Sequence, residues 1–389
     1  MMRLTMAPFP RLLVAAAAAM IVGILASGVA GLGEDGGGTT GYVRVFSFGD
    51  SLTDTGNALR LPSTGGGGPA SRPPYGETFF RRPTGRASDG RLVVDFIVEA
   101  LQLRQPAPYL AGKTAADFRH GVNFAVGGST ALGPEFFERR GLKPFVPVSL
   151  TNQTIWFEEV GQLLASSVYG RRKIMASSLF LVGEIGVNDY FIALFGNRTV
   201  GEIKTFVPHV VGAIRSVVNE MIGAGARTVV VPGMIPLGCE PQLLALYQGG
   251  GGGEYEPESG CISQLNDLAE LHNYALNRAL VEVRREHPLA AVIYADLYRA
   301  VTNIVVSPGK YGFKDRPLSA CCGDSGGAYN FNMAAFCGTP GTTECADPSQ
   351  YVSWDGVHFT EAANRHIACS VLSTSATWPS AAASRIGCV

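Results

Sequence analysis

Charge is scarce in this chain. Only 16% of its 389 residues are charged, and 31 basic against 32 acidic side chains leave a formal net charge of -1. Such a balance offers no basic excess to nucleic acid or to an anionic membrane surface, so neither is an expected partner. Metal-ligand spacing is missing as well. No C-x-x-C or C-x-x-H pair occurs among the eight cysteines, and the neighbours Cys321 and Cys322 have poor geometry for one tetrahedral ion, so no metal or other cofactor is expected. Histidines number only six, which makes the surroundings of each informative.

What is abundant is apolar: 46% of the residues are hydrophobic, enough for a sizeable core and too many for a disordered chain. Some of this belongs to the N-terminus. Arg3 and Arg11 precede an uncharged run from Leu12 to Gly33, with small residues at Gly28 and Ala30, and Glu34 and Asp35 follow. Residues 1–30 therefore read as a signal peptide, with an uncleaved signal anchor as the alternative and the only route to membrane contact. Residues 31–41 read as a Gly-rich linker. Entry into the secretory pathway, ending in the cell wall, the extracellular space or the Golgi lumen, is expected. The cysteines agree: Cys239, Cys261, Cys321, Cys322, Cys337, Cys345, Cys369 and Cys388 are even in number and lie beyond the targeting segment, which predicts disulfides of unassigned connectivity. Sequons at Asn152 and Asn197 are candidate glycosylation sites.

Beyond the linker, strand-like and helix-like segments alternate. Short apolar or alternating runs at Tyr42–Phe48, Val122–Ala125, Ser178–Gly183, Thr228–Gly233 and Ala291–Asp296 predict five strands. Between them lie amphipathic stretches, including Phe206–Ile222 and Ile262–Glu286, and Asp89 is placed to cap a helix carrying Leu92, Phe96 and Ile97. Alternation of this kind predicts an α/β domain with a five-stranded parallel, doubly wound sheet spanning 42–374, followed by a tail over 375–389. Gly/Pro-rich stretches at Leu61–Pro74 and Gly249–Gly253 read as loops inside it.

Three strand ends carry chemistry. The first runs into Gly49-Asp50-Ser51-Leu52, which puts the Ser51 hydroxyl where open α/β sheets hold their ligands. The second ends in Val126-Gly127-Gly128-Ser129, and the third leads through Glu184-Ile185-Gly186-Val187 to Asn188. Near the C-terminus, Asp355 stands three residues before His358, so one short segment supplies a general base and the carboxylate that orients it. The other histidines, His120, His209, His272, His287 and His366, lack that spacing or sit in helical stretches, and read as structural or surface residues.

In this order, Phe48 to Asn57, Gly121 to Gly128, Gly186 to Asp189 and Asp355 to His358 resemble the four motif blocks of the plant GDSL esterases/lipases, members of the SGNH hydrolase superfamily. The resemblance spans about Tyr42 to Leu372. It implies a flavodoxin-like α/β/α sandwich and metal-free serine ester hydrolysis. Ser51 would be the nucleophile, His358 the base and Asp355 the third triad member. The amides of Ser51 and Gly128 and the side chain of Asn188 would form the oxyanion hole. Val187 departs from the glycine that many plant relatives carry there, which bears on pocket shape.

Rival readings fare worse. Gly323-Asp324-Ser325-Gly326-Gly327 spells the nucleophile segment of chymotrypsin-like proteases, but that family is all-β and orders its triad His, Asp, Ser. Gly127-Gly128-Ser129-Thr130-Ala131 does not complete a G-x-S-x-G elbow, since it ends in alanine. A secreted glycan-binding protein would predict damage at Ser51, Asn188 or His358, and all are intact. The expected partner is an ester substrate. The lean is toward acetylated cell-wall polysaccharide such as xylan, with phenolic or choline esters and acylglycerols as alternatives.

Overall fold

The computed structural model describes residues 41–62, 68–248, 253–373, 378–379 and 381–388. The targeting segment, nearly all of the linker, residues 63–67 and most of the second Gly run lie outside the described residues.

Six parallel strands make the central sheet: β1 (Arg44–Phe48), β2 (Ala107–Pro108), β3 (Gly121–Asn123), β4 (Ser178–Val182), β5 (Thr228–Pro232) and β6 (Ala291–Ala295), in the order β2-β3-β1-β4-β5-β6. The five expected strands are all present, and the sheet has one more. β2 is a two-residue edge strand ending in Pro108, a residue that removes a ladder donor and is tolerated at an edge. β1 is central, and Val45, Phe46, Ser47 and Phe48 along it are all fully buried, because helices cover both faces of a parallel sheet.

Two groups of helices supply that cover. On one side α1 (Val93–Ala100) packs on α7 (Glu361–Ser373), which also meets α6 (Leu297–Val306). On the other, α4 (Val207–Ala224) packs on α2 (Leu150–Leu164) and on α5 (Ser263–Glu286), while α3 (Val187–Phe195) follows β4 directly. This is the α/β/α arrangement expected. One capping assignment is corrected. Asp89 does not cap α1; it accepts from the Glu361 N–H at 2.7 Å and so starts α7, while Glu361 accepts from the Arg91 N–H at 2.8 Å. The start of α1 is held instead by Asp95, which accepts from the Leu92 N–H at 2.8 Å. Reciprocal caps of this kind tie two helices far apart in sequence.

Four disulfides join Cys239–Cys261, Cys321–Cys345, Cys322–Cys337 and Cys369–Cys388, so each of the neighbours Cys321 and Cys322 finds its own partner. The segment expected to be a tail is packed rather than free. Trp378, Ala382 and Ile386 are buried in the main core, and Cys388 is covalently bound to α7. Asn152 lies in the first turn of α2, where its Oδ1 accepts from the Ser149 N–H at 2.8 Å. Asn197 is exposed at a turn with φ 57°. Among the described residues no helix is long and apolar enough to cross a membrane, and no group of His, Cys, Asp or Glu is arranged to hold a metal ion.

Candidate active site

The parallel sheet brings the ends of β1, β3 and β4 to one edge, and hydrogen bonds then lock the loops that leave them. Asn57 donates from Nδ2 to the carbonyls of Asn123 and Ala125, both at 2.8 Å, and Asn123 returns a bond to the Thr53 carbonyl at 2.7 Å. Asp54 accepts from the N–H groups of Gly56, Asn57, Ala58 and Gly127 at 2.6–2.9 Å. Gln153 of α2 clasps the backbone of Gly49, accepting from its N–H at 2.9 Å and donating to its carbonyl at 2.8 Å. Buried polar groups paired this completely give a rigid platform under Ser51.

On that platform three side chains stand in line. Ser51 Oγ lies 2.9 Å from His358 Nε2, and His358 Nδ1 lies 2.8 Å from Asp355 Oδ2. The other Asp355 oxygen accepts from the N–H groups of Val357 at 3.0 Å and His358 at 2.8 Å, so the loop Asp355–His358 is folded around its own carboxylate. A residue the motifs did not indicate completes it: Tyr75 donates its hydroxyl to Asp355 Oδ2 at 2.7 Å. Tyr75 comes from the Gly/Pro-rich excursion after β1, is fully buried, and packs edge-on against Trp354.

The electrostatics suit a base held by an anion. Burial pushes Asp355 up, but the charge and hydrogen bond of His358 and the donors from Tyr75 and Val357 bring it below the ordinary carboxylate range. Burial opposes the charged form of His358; the Asp355 carboxylate, and more weakly Asp50, outweigh it and raise the imidazole above its ordinary value. By contrast His272, buried on α5 against the Tyr190 hydroxyl at 2.8 Å, is driven down to about 3 by burial and stays neutral.

Facing Ser51 on the opposite side are unused donors. Neither the Ser51 nor the Gly128 N–H donates to any acceptor among the described residues, an uncommon condition for backbone amides in a packed site. Gly128 has φ +83°, which a residue with a side chain rarely adopts, and a Cβ there would only touch Phe145 and Val146 at 3.4 Å, so the backbone conformation is what calls for glycine. Asn188 sits at the start of α3, and its Nδ2 donates to the Ser129 carbonyl at 3.0 Å and to Asp50 Oδ2 at 3.2 Å. Ser51, Gly128, Asn188, Asp355 and His358 thus line a single cleft of about 640 Å³. Val187, the departure from the expected glycine, lines a small cavity beside it with Ser51, Asn188 and His358.

The remaining candidates fall elsewhere. Ser325 is exposed in the loop closed by the Cys322–Cys337 disulfide, and no base hydrogen-bonds to it among the described residues. Ser129 is buried and donates to the Gly49 carbonyl at 2.9 Å, a structural tie.

The family described as GDSL-like lipase/acylhydrolase matches residues 45–371. The chain belongs to this family. A GDSL esterase/lipase of Arabidopsis thaliana is 44% identical over 331 residues, covering 85% of this chain and 84% of the relative. A second from the same plant is 43% identical over 349 residues, covering 88% and 93%. The chain is also 42% identical over 333 residues to a sinapine esterase of Brassica napus, covering 85% of each. Membership makes this GDSL protein a carboxylic ester hydrolase, and its four disulfides fit a secreted protein.

Proposed function

We propose that this GDSL hydrolase cleaves its esters through an acyl-enzyme on Ser51. The observation that carries the proposal is the unbroken line Ser51 Oγ, His358 Nε2, His358 Nδ1, Asp355 Oδ2 with contacts of 2.9 and 2.8 Å, opposite two free backbone amides. His358 takes the hydroxyl proton as Ser51 Oγ bonds to the ester carbonyl carbon, and Asp355 stabilises the imidazolium. Charge on the former carbonyl oxygen is met by the N–H groups of Ser51 and Gly128 and by Asn188, which exchanges its longer contact to Asp50 for the oxyanion. His358 then protonates the leaving alcohol, and water, deprotonated by the same imidazole, releases the acid.

The cleft bears on the substrate. Beside Gly128 and Asn188 its wall is Phe145, Val146, Phe191 and Phe195, with ring centroids of Phe195 at 6.1 Å from Phe145 and 5.8 Å from Phe191. An aromatic wall on the oxyanion side supports a bulky apolar or aromatic acyl group, and so favours phenolic or long-chain acyl esters over acetyl groups on a polysaccharide such as xylan. We place the site of action in the secretory pathway, on the four disulfides.

The test is labelling by a fluorophosphonate together with turnover of p-nitrophenyl butyrate. Ser51→Ala abolishes both, whereas Ser325→Ala leaves both in place. The reverse result overturns the assignment.

A further inference from the structure

The cleft has a second wall, and its chemistry differs from the first. Tyr75, hydrogen-bonded to Asp355, marks the side from which His358 delivers its proton, so the leaving alcohol of a bound ester lies there. Arg72 lines the cleft on this side, three residues before Tyr75 and close enough for its charge to act on the Tyr75 hydroxyl. Its backbone carbonyl accepts from the Tyr75 N–H at 3.2 Å.

This guanidinium has no partner. Among the described residues no carboxylate pairs with it, its Nε is buried without an acceptor, and no aromatic ring stacks beneath it. Other arginines near the site are engaged: Arg86 forks onto Asp95 at 2.7 and 2.8 Å, and Arg91 binds Glu361 at 2.8 Å. The two carboxylates lining the cleft are both spent, Asp54 on four backbone amides and Asp355 on His358 and Tyr75. Arg72 is therefore the charged side chain lining the cleft whose polar atoms have no partner among the described residues.

It is also held in place. Its stem crosses Gly338, where an added Cβ would lie 2.5 Å from the Pro73 carbonyl and 3.1 Å from Arg72 Cγ, so only glycine leaves room. Gly338 follows Cys337, which is bonded to Cys322. A flexible cation braced from below and left without a counter-ion is suited to a planar acceptor from outside the protein.

We propose that Arg72 is a specificity-determining residue that binds a carboxylate on the alcohol half of the substrate. Resting on the Ser51 reading for the orientation of the ester, the substrate class becomes an aromatic or apolar acyl group esterified to a hydroxy acid. The acyl group lies against Phe145 and Phe191, and the hydroxy acid's carboxylate forks onto Arg72. A choline ester would put a cation where the protein already has one, and a neutral sugar would leave the guanidinium unmatched.

The test compares cinnamoyl esters of glycolate and of γ-hydroxybutanoate with the corresponding neutral amides and with cinnamoylcholine. Equilibrium binding is measured in a Ser51→Ala background and kcat/KM in the wild type. The better carboxylate is expected to bind about 10- to 100-fold more tightly than its amide, the range of a charge-assisted hydrogen bond, with the ratio falling as salt rises. Arg72→Gln brings the ratio close to one, and Arg72→Lys restores part of it. Because the readout is a ratio, a general loss of folded protein does not move it. A ratio near one in the Arg72-containing protein, a ratio that survives Arg72→Gln, or a preference for cinnamoylcholine overturns the proposal. Residual Ser51→Ala turnover of p-nitrophenyl butyrate would instead overturn the triad, and the binding ratio would still report on Arg72.

Discussion

Replacing Tyr75 with phenylalanine removes one hydroxyl from behind the Asp355 carboxylate and little else. The ring stays edge-on to Trp354, with centroids 5.8 Å apart, so no cavity opens. Asp355 keeps the imidazole at 2.8 Å and two backbone donors at 2.8 and 3.0 Å but loses the Tyr75 bond at 2.7 Å. A hydrogen bond to a charged group is worth about 1.5–3 kcal/mol, which for a chain of this size lowers Tm by roughly 2–4 °C. The loss is expressed at neutral pH and fades in acid, because a carboxylate held below its unfolded value contributes stability only above its folded pKa. The effect on catalysis has a definite sign. With the Tyr75 hydroxyl gone, Asp355 concentrates its charge on His358, whose already raised pKa rises further. The acid limb of kcat/KM, set by the fraction of neutral imidazole, then moves to higher pH, with kcat down by less than about ten-fold. Thermal melts and pH–rate profiles of wild type and Tyr75→Phe check both halves. A fall in Tm with the acid limb unmoved, or moved to lower pH, would refute the coupling and leave Tyr75 as packing.

Asn188→Ala should lower kcat by about 10²–10³ with a smaller change in KM, as for any single lost oxyanion donor, and an unchanged kcat removes Asn188 from the site. Glu184 is buried beside Asp50, and burial together with the Asp50 charge and hydrogen bond raises it well above its ordinary value; Glu240, whose Oε1 is buried without a partner, is raised by burial. Groups raised in the folded state contribute stability that is complete below their unfolded pKa and is lost as pH rises, so Tm should fall from about pH 6.5, above which neutral His272 adds no opposing slope, to pH 8, and Glu184→Gln should flatten that slope. A Tm that climbs over this interval contradicts the account. Removing the Cys322–Cys337 disulfide, with its sequence separation of 15, as Cys322→Ala/Cys337→Ala should cost about 3 kcal/mol in the chain-entropy picture and weaken binding of esters with large alcohol groups; retention of both stability and KM would argue against the bracing role.

Legibility from sequence followed the range of the forces involved. β4 and β5 were readable because a strand covered on both faces must be apolar throughout, as Leu179, Phe180 and Val182 are. β2 was not, since two residues carry no period and Pro108 argues against a strand. Ser51, Asn188 and His358 were readable because each sits next to a local signature: a strand end, a Gly-rich turn, or an aspartate three residues away. Tyr75 has no such neighbour. Its partner Asp355 is 280 residues distant, and nothing in the Gly/Pro-rich composition around it announces a buried phenol. The same holds for Asp89, whose capping role passed to a helix beginning at Glu361, because a cap is chosen by the three-dimensional neighbour and not by the nearest helical stretch. The segment 375–389 reads as a tail in the sequence; Trp378 and the Cys369–Cys388 bond are what seat its described part in the core.

The line from Ser51 through His358 to Asp355 joins two structures with different means of staying rigid. Ser51 and the amide donors belong to the sheet, where Asn57, Asn123, Asp54 and Gln153 fix the loops through bonds to buried backbone. Asp355 and His358 belong to a loop with no regular strand or helix of its own. Their segment is held because Cys321 and Cys322 donate to the carbonyls of Ser353 and Trp354 at 3.0 and 2.7 Å, and both cysteines are covalently anchored at their other side. A general base must stay within a few tenths of an ångström of its hydroxyl, which an unbraced loop, with the entropy of every residue to restrain, would not achieve. The disulfides remove that freedom outside the sheet. They also leave the surface between them free to vary, since Phe336 and Met333, which line the cleft, sit inside the loop closed by Cys322–Cys337. Substitutions there can reshape what the enzyme accepts while the distance from His358 to Ser51 is kept by bonds elsewhere.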